Sequence, residues 1–207
     1  MYKVQTYRSG RMPTNTYLLV EEKNAVVIDA AAEPFEMIDF VKKNKLNLQA
    51  ILLTHTHYDH FLGIFDIWNE IDKNIPLYYH PSEKILIENA EMNGGIFHGK
   101  EDSYYRGEYR PLSEGLLQVG NFSFNVWHIP GHTPGGVAFC SQNDCFCGDS
   151  LFAGTIGRSD WGYSDPDALV RNIKSKLLVL PDDTNVFPGH GYPSTIGEEK
   201  ANNPFLK

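Results

Sequence analysis

The stretch Ala50-Ile51-Leu52-Leu53-Thr54-His55-Thr56-His57-Tyr58-Asp59-His60 joins an apolar run directly to a cluster of ionisable side chains. Ala50 to Leu53 reads as a short buried strand. Alternate residues of an extended chain point the same way, so His55 and His57 can grip one ion. If the chain then turns helical, Asp59 and His60 face back from the next turn. Neutral imidazoles and a carboxylate are ligands for zinc, iron or manganese. A lone histidine at a surface or a helix cap would say little. Three histidines and an aspartate packed together at a strand end favour a metal site over chance placement.

Three other points resemble this one locally. Pro130-Gly131-His132-Thr133-Pro134-Gly135-Gly136 follows a strand ending at Ile129. Gly148-Asp149-Ser150 follows one ending at Cys147, and Pro188-Gly189-His190-Gly191 one ending at Phe187. Each sets one ligand-type side chain at a strand end beside glycine, which lets the backbone bend sharply. Sites built from such loops recur in α/β enzymes. With the first cluster they make seven donors: His55, His57, Asp59, His60, His132, Asp149 and His190. Seven can hold two ions if one aspartate bridges. His80 and His128 read as packing residues or supports behind the ligands. His98 sits in the irregular stretch from Asn89 to Gly115, where it could meet substrate. That stretch carries Phe97, Tyr104, Tyr105 and Tyr109 and reads as a lid.

The remaining pattern is one of strands in runs with helices between them. Thr16 to Val20 and Ala25 to Ile28 read as paired strands, with Glu21 to Asn24 as the turn and Asn24 as its left-handed residue. Pro34 opens a helix whose buried face is Phe35, Ile38 and Val41. Ile64, Ile67, Trp68 and Ile71 fall at helical spacing. Gly120-Asn121 turns one hairpin and Ser141 to Asp144 another. Asp165-Pro166 starts a helix striped by Leu169, Ile173 and Leu177. Two mixed sheets covered by helices fit this order better than one parallel sheet.

Eighteen Lys and Arg against twenty-six Asp and Glu leave a formal charge of −8, without a basic cluster. That balance disfavours nucleic acid as a partner. The cysteines, Cys140, Cys145 and Cys147, are odd in number and bunched, so reduced thiols in a cytoplasmic protein are expected. Met1 to Gly10 lacks the apolar run of a signal peptide, and no stretch approaches a membrane span in length. At 207 residues, one domain over 1–207 is expected.

These motifs resemble the metallo-β-lactamase fold superfamily over nearly the whole chain. The likeness runs from Asn15-Thr16-Tyr17 and Val27-Ile28-Asp29, through the histidine cluster, to Thr195-Ile196-Gly197-Glu198-Glu199 and Asn203-Pro204-Phe205. Through Gly148-Asp149-Ser150-Leu151-Phe152 and Gly157-Arg158-Ser159-Asp160 it is most similar to the short bacterial glyoxalase II-like hydrolases. The resemblance implies a four-layer αβ/βα sandwich with metals at one edge. It implies one divalent ion on His55, His57 and His132, a second on Asp59, His60 and His190, and Asp149 bridging. Zinc is the first choice, with iron or manganese as alternatives. Asp29 would stand behind the ligands.

The implied reaction is cleavage of a small acyl thioester or related ester by metal-bound hydroxide, since two ions bring the water pKa from about 15.7 towards about 7. Asp59 would help orient the nucleophile, and Arg158 would meet the thiol carrier. The chain departs from full-length glyoxalase II in two ways: no C-terminal helical domain is expected, and Asp160 stands where a carrier-binding tyrosine would be. Metallo-β-lactamases commonly carry cysteine where Asp149 sits, which argues against antibiotic hydrolysis. Two rivals stand beside this reading. One is a mononuclear iron persulfide dioxygenase using His55, His132 and Asp149. The other is a metal-binding module without turnover.

Overall fold

A computed structural model describes residues Met1–Lys207, and its two sheets follow from the alternation of apolar side chains. The first sheet holds, in spatial order, β1 (Lys3–Ser9), β2 (Thr14–Glu21), β3 (Asn24–Ile28), β4 (Asn47–Leu52), β5 (Leu77–Tyr79) and β6 (Arg110–Pro111). β1 to β3 run antiparallel, whereas β3 to β6 are parallel. The second holds β7 (Gly115–Val119), β8 (Phe122–His128), β9 (Val137–Ser141) and β10 (Asp144–Gly148) as an antiparallel run. A small hairpin, β11 (Leu151–Phe152) and β12 (Thr155–Ile156), follows. β13 (Asn185–Pro188) then joins β10 in parallel, and β14 (Ser194–Thr195) closes the edge.

Helices cover the outer faces: α1 (Phe35–Asn44), α2 (Tyr58–Phe61), α3 (Ile64–Glu70) and α4 (Lys84–Ile87) on one side, α5 (Pro166–Asn172) and α6 (Ile196–Asn202) on the other. Adjacent residues of one strand face opposite layers. Leu18, Val27 and Ile51 pack outward against Met37, Ile38, Val41 and Ile64. Their neighbours Leu19, Val26 and Leu52 point inward and meet Phe122, Phe124, Phe139 and Phe146 of the second sheet. On the far side Ala138, Cys145 and Val186 pack against Leu169, Ile173, Leu177 and Ile196. Three apolar interfaces thus separate four layers, the sandwich expected from the sequence.

Asp165 caps α5 by accepting from the Ala168 N–H at 2.8 Å, as its position before Pro166 led us to expect. Other local expectations need correction. Glu21 pairs with Asn24 across the β2–β3 turn, so Glu22 takes the left-handed conformation at φ 56° and Asn24 belongs to the strand. Phe35 is half exposed, because Pro34 precedes α1 and the buried face is Met37, Ile38 and Val41. Cys140 and Cys145 oppose one another across β9 and β10 and are joined as a disulfide, leaving Cys147 as the buried free thiol. The hairpin read at Ser141 to Asp144 already set these two residues facing one another, but reduced thiols were expected from the odd, bunched cysteine count, which does not show that a facing pair is bonded. No helix is long and apolar enough to cross a membrane.

The inter-sheet layer is where a void would hurt most. Phe124 is fully buried, edge-on to Phe139 with ring centroids 5.9 Å apart. Phe124→Ala should cost about 3–5 kcal/mol, read as a lower midpoint in denaturant unfolding with unchanged slope.

Candidate metal centre

All four ligand-bearing loops leave their strands at the same edge of the sandwich. β4 ends at Leu52 and the chain runs on to His55 and His57, after which α2 carries Asp59 and His60. His132 follows β8, Asp149 follows β10 and His190 follows β13. The strand ends therefore bring together side chains up to 135 positions apart (190 − 55).

Two donor clusters result. In the first, His57 Nδ1 lies 3.1 Å from His55 Nε2 and 2.9 Å from His132 Nε2. In the second, His190 Nε2 lies 3.2 Å from Asp59 Oδ2 and 3.4 Å from His60 Nε2. Asp149 reaches both: its Oδ2 is 3.7 Å from His132 Nε2 and 3.5 Å from His190 Nε2, and its Oδ1 is 3.4 Å from His60 Nε2. All seven predicted donors fall within groups able to hold a cation.

The protons on these rings can be assigned from their outer partners. His60 Nδ1 donates to Asp29 Oδ2 at 2.9 Å, His132 Nδ1 to the Arg158 carbonyl at 2.6 Å, and His190 Nδ1 to the Pro13 carbonyl at 3.0 Å. His57 Nε2 meets the Tyr163 hydroxyl at 2.8 Å. The Thr54 hydroxyl donates to Asp29 Oδ2 and so accepts from His55 Nδ1 at 3.2 Å. His55, His60, His132 and His190 each aim an outer nitrogen at an acceptor and donate there, while His57 Nε2 faces a hydroxyl that can take either role. Burial opposes charge on His60 and His190, but the facing carboxylates outweigh it and raise both above the ordinary imidazole range. These two rings therefore bring positive charge between Asp59 and Asp149, a role that a cation would take over. Asp149 Oδ1 is buried and has no hydrogen-bond partner. Burial, then the neighbouring His132, pushes His57 down to about 3, so it stays neutral and ligating. Burial alone would raise the Asp59 carboxyl, but His60 and His190 outweigh it and hold it at about 2. These donors fit divalent cations.

Residues that the sequence reading passed over complete the frame. The Thr14 hydroxyl donates to Asp59 Oδ2 at 2.7 Å. Buried Glu83 accepts from the Thr56 N–H at 2.8 Å and the Gly135 N–H at 2.7 Å, tying the first ligand loop to the His132 loop. No local motif marks Thr14, Glu83 or Tyr163, because each acts through a loop distant in sequence. His80 and His128 stack on each other at 4.1 Å, outside the donor clusters. His98 stacks on Tyr58 at 5.0 Å, at the rim. Arg158 is exposed, and its guanidinium is held by Asp160 through contacts of 2.8 and 3.0 Å.

Residues 9–190 match the pattern of the metallo-beta-lactamase superfamily. The chain belongs to that superfamily. Hydroxyacylglutathione hydrolase GloC of Haemophilus influenzae is 36% identical over 199 residues, covering 90% of this chain and 89% of that one. The crystal structure of BLEG-1 B3 metallo-beta-lactamase superposes with a TM-score of 0.93 at 35% identity, over 99% of this chain and 100% of that one. TTHA1623, in a di-iron-bound form, gives a TM-score of 0.84 at 36% identity, over 98% and 100% respectively. Membership and donor set together make this a metallo-hydrolase by kind, with the fold that its motifs resemble.

Two outcomes check the centre. A Cβ at Gly189 would stand 2.1 Å from Asp149 Oδ1 and 2.5 Å from His60 Cε1. Gly189→Ala should therefore lower the bound metal per chain in elemental analysis while far-ultraviolet circular dichroism is unchanged. Chelation should lower the melting temperature, because it removes an ion that binds the folded chain and not the unfolded one. At free metal a hundredfold above Kd the bound ion contributes about 2.7 kcal/mol.

Proposed function

We propose that this chain is a binuclear hydrolase of small acyl thioesters or related esters, with His55, His57 and His132 on one divalent ion, Asp59, His60 and His190 on the other, and Asp149 between them. The observation that carries this reading is the position of Asp149, within 3.7 Å of donors in both clusters. Zinc suits the nitrogen-rich donors, and the di-iron form of TTHA1623 keeps iron in view. Thioester chemistry is supported by the likeness to a hydroxyacylglutathione hydrolase over nine-tenths of the chain.

When bound, two divalent ions make water a nucleophile near neutral pH and polarise a carbonyl. The protein supplies position and proton acceptors. Asp59 is ionised, so its carboxylate accepts a hydrogen bond from the attacking water and fixes its direction. The Thr14 hydroxyl holds that carboxylate in place. His57 Nε2 meets the Tyr163 hydroxyl, which can give or take the hydrogen bond. A thiolate needs little protonation on leaving, which fits a site whose other buried acids, Asp29 and Glu83, are taken up by Thr54, His60, Thr56 and Gly135.

Protein purified without added metal should carry two ions per chain and turn over S-lactoylglutathione or a simpler acyl thioester faster than a β-lactam or a phosphodiester. Asp59→Asn should lower kcat about 100-fold or more. His57→Ala should lose both metal and turnover. One iron per chain with oxygen uptake on a persulfide would replace this reading with a dioxygenase. Hydrolysis of the β-lactam alone would overturn the substrate class.

A further inference from the structure

We infer that Arg11 and Lys100 form a carboxylate-binding subsite on the Asp59 side of the metal centre. This rests on the thioester-hydrolase reading and names where the charged part of the substrate lies. The tip of the β1–β2 hairpin and the segment following His98 enclose a cleft lined by Arg11, Met12, Tyr58, Asp59, His98 and Lys100. Because Asp59 forms part of its wall, the cleft opens onto the second donor cluster. Glu33 also lines it and is exposed.

Neither Arg11 nor Lys100 takes part in any ion pair of the structure. Arg158 is in the opposite state. Asp160 grips both its Nε and a terminal nitrogen, and its guanidinium lies over the Trp161 ring at 5.0 Å. Its charge and its fork of donors are already engaged. The surroundings of Arg158 are aromatic: Phe97 packs on Trp161 at 5.7 Å, and Trp161 stacks on Tyr163 at 6.0 Å.

In a chain of net charge −8, two unengaged cations beside a metal centre draw an anion to that side of the cleft. A guanidinium presents paired donors that match a carboxylate, and an ammonium adds a point charge. A neutral or apolar arm of the substrate falls to the aromatic rings around Arg158. The carboxylate can belong to the thiol or to the acyl group.

Three thioesters separate these sources on the zinc-loaded protein: S-acetyl-N-acetylcysteamine, which is neutral; S-acetyl-N-acetylcysteine, charged on the thiol; and S-succinyl-N-acetylcysteamine, charged on the acyl group. For the paired variant Arg11→Gln with Lys100→Gln we expect KM to rise about 10- to 100-fold for one charged thioester. Its kcat and the constants for the neutral thioester should stay within about twofold of the unmodified protein, as for an interaction lost equally from ground and transition states. Both side chains are exposed, and an unchanged melting curve verifies folding. Calorimetric binding of N-acetylcysteine, N-acetylcysteamine and succinate needs no turnover. If no thioester reacts, the functional reading fails, yet loss of preference for a charged ligand in the paired variant still supports the subsite. Unchanged affinities and KM values in that variant overturn it. So does an Arg158→Gln variant that alone raises KM for the charged thioester.

Discussion

Five imidazoles facing one another around two carboxylates are an arrangement that a folded protein does not adopt without support. His55, His60, His132 and His190 each give an N–H outward, and His60 and His190 are raised above the ordinary imidazole range by the carboxylates they face. The support comes from behind. Asp29, Arg158, Pro13, Tyr163 and Thr54 each hold the outer nitrogen of one ring, which fixes its aim. The interior of the site is therefore poised for positive charge before any cation arrives. Preorganisation of this kind lowers what the protein must rearrange on binding metal.

Asp29 shows how the fold carries that load. It follows β3 in the left-handed conformation, at φ 55°, which non-glycine residues seldom adopt. From there its two carboxylate oxygens take the Thr54 N–H, the Thr54 hydroxyl and His60 Nδ1. One side chain thus ties the end of β3 to the start of the ligand loop after β4, and through Thr54 it reaches His55 as well. The close approach between layers is equally specific. Gly148 lies at φ 51°, and a Cβ there would stand 2.2 Å from the Thr54 hydroxyl. Two parallel neighbours in one sheet and a strand of the other meet at this threonine.

Much of this was legible in the chain before its structure, for a physical reason. Metal ligands must be particular residue types, and a strand end must be followed by a residue that lets the chain turn. His132, Asp149 and His190 satisfy both conditions within a few residues, so local reading finds them. Two mixed sheets covered by helices were legible from the order of strands and helices, and the four-layer sandwich only from the family resemblance; Leu18 and Leu19, or Val26 and Val27, are apolar on both sides of a strand, which is why the first sheet is covered on both faces. Supporting residues lack that local imprint. Glu83 resembles any acid near a helix start, yet it is buried and joins Thr56 to Gly135 across two loops. Tyr163 resembles any loop tyrosine. The Cys140–Cys145 bond was missed because an odd, bunched cysteine count was read as reduced thiols although the hairpin sets the two face to face. Glu22 depended on the number of residues between paired positions and Phe35 on where α1 begins, each decided by a shift of one residue, finer than periodicity resolves.

The same contrast governs recognition of substrate. The ligands sit at strand ends, where two sheets hold the backbone, and their type is dictated by coordination chemistry. The cleft walls come from the β1–β2 hairpin tip and the end of the Gly95–His98 turn, and the loop carrying Arg158 to Tyr163 is likewise outside the sheets, where backbone and side chain are freer to vary. A single residue can reassign charge there without touching the metal donors. Asp160 does so by engaging Arg158 in place, while His132 still donates to the Arg158 carbonyl. The backbone carbonyl of Arg158 thus holds the His132 ring while the guanidinium of the same residue is tied to Asp160. Within one frame, catalytic geometry and substrate preference can then change separately, because the peptide unit serves the first and the guanidinium the second.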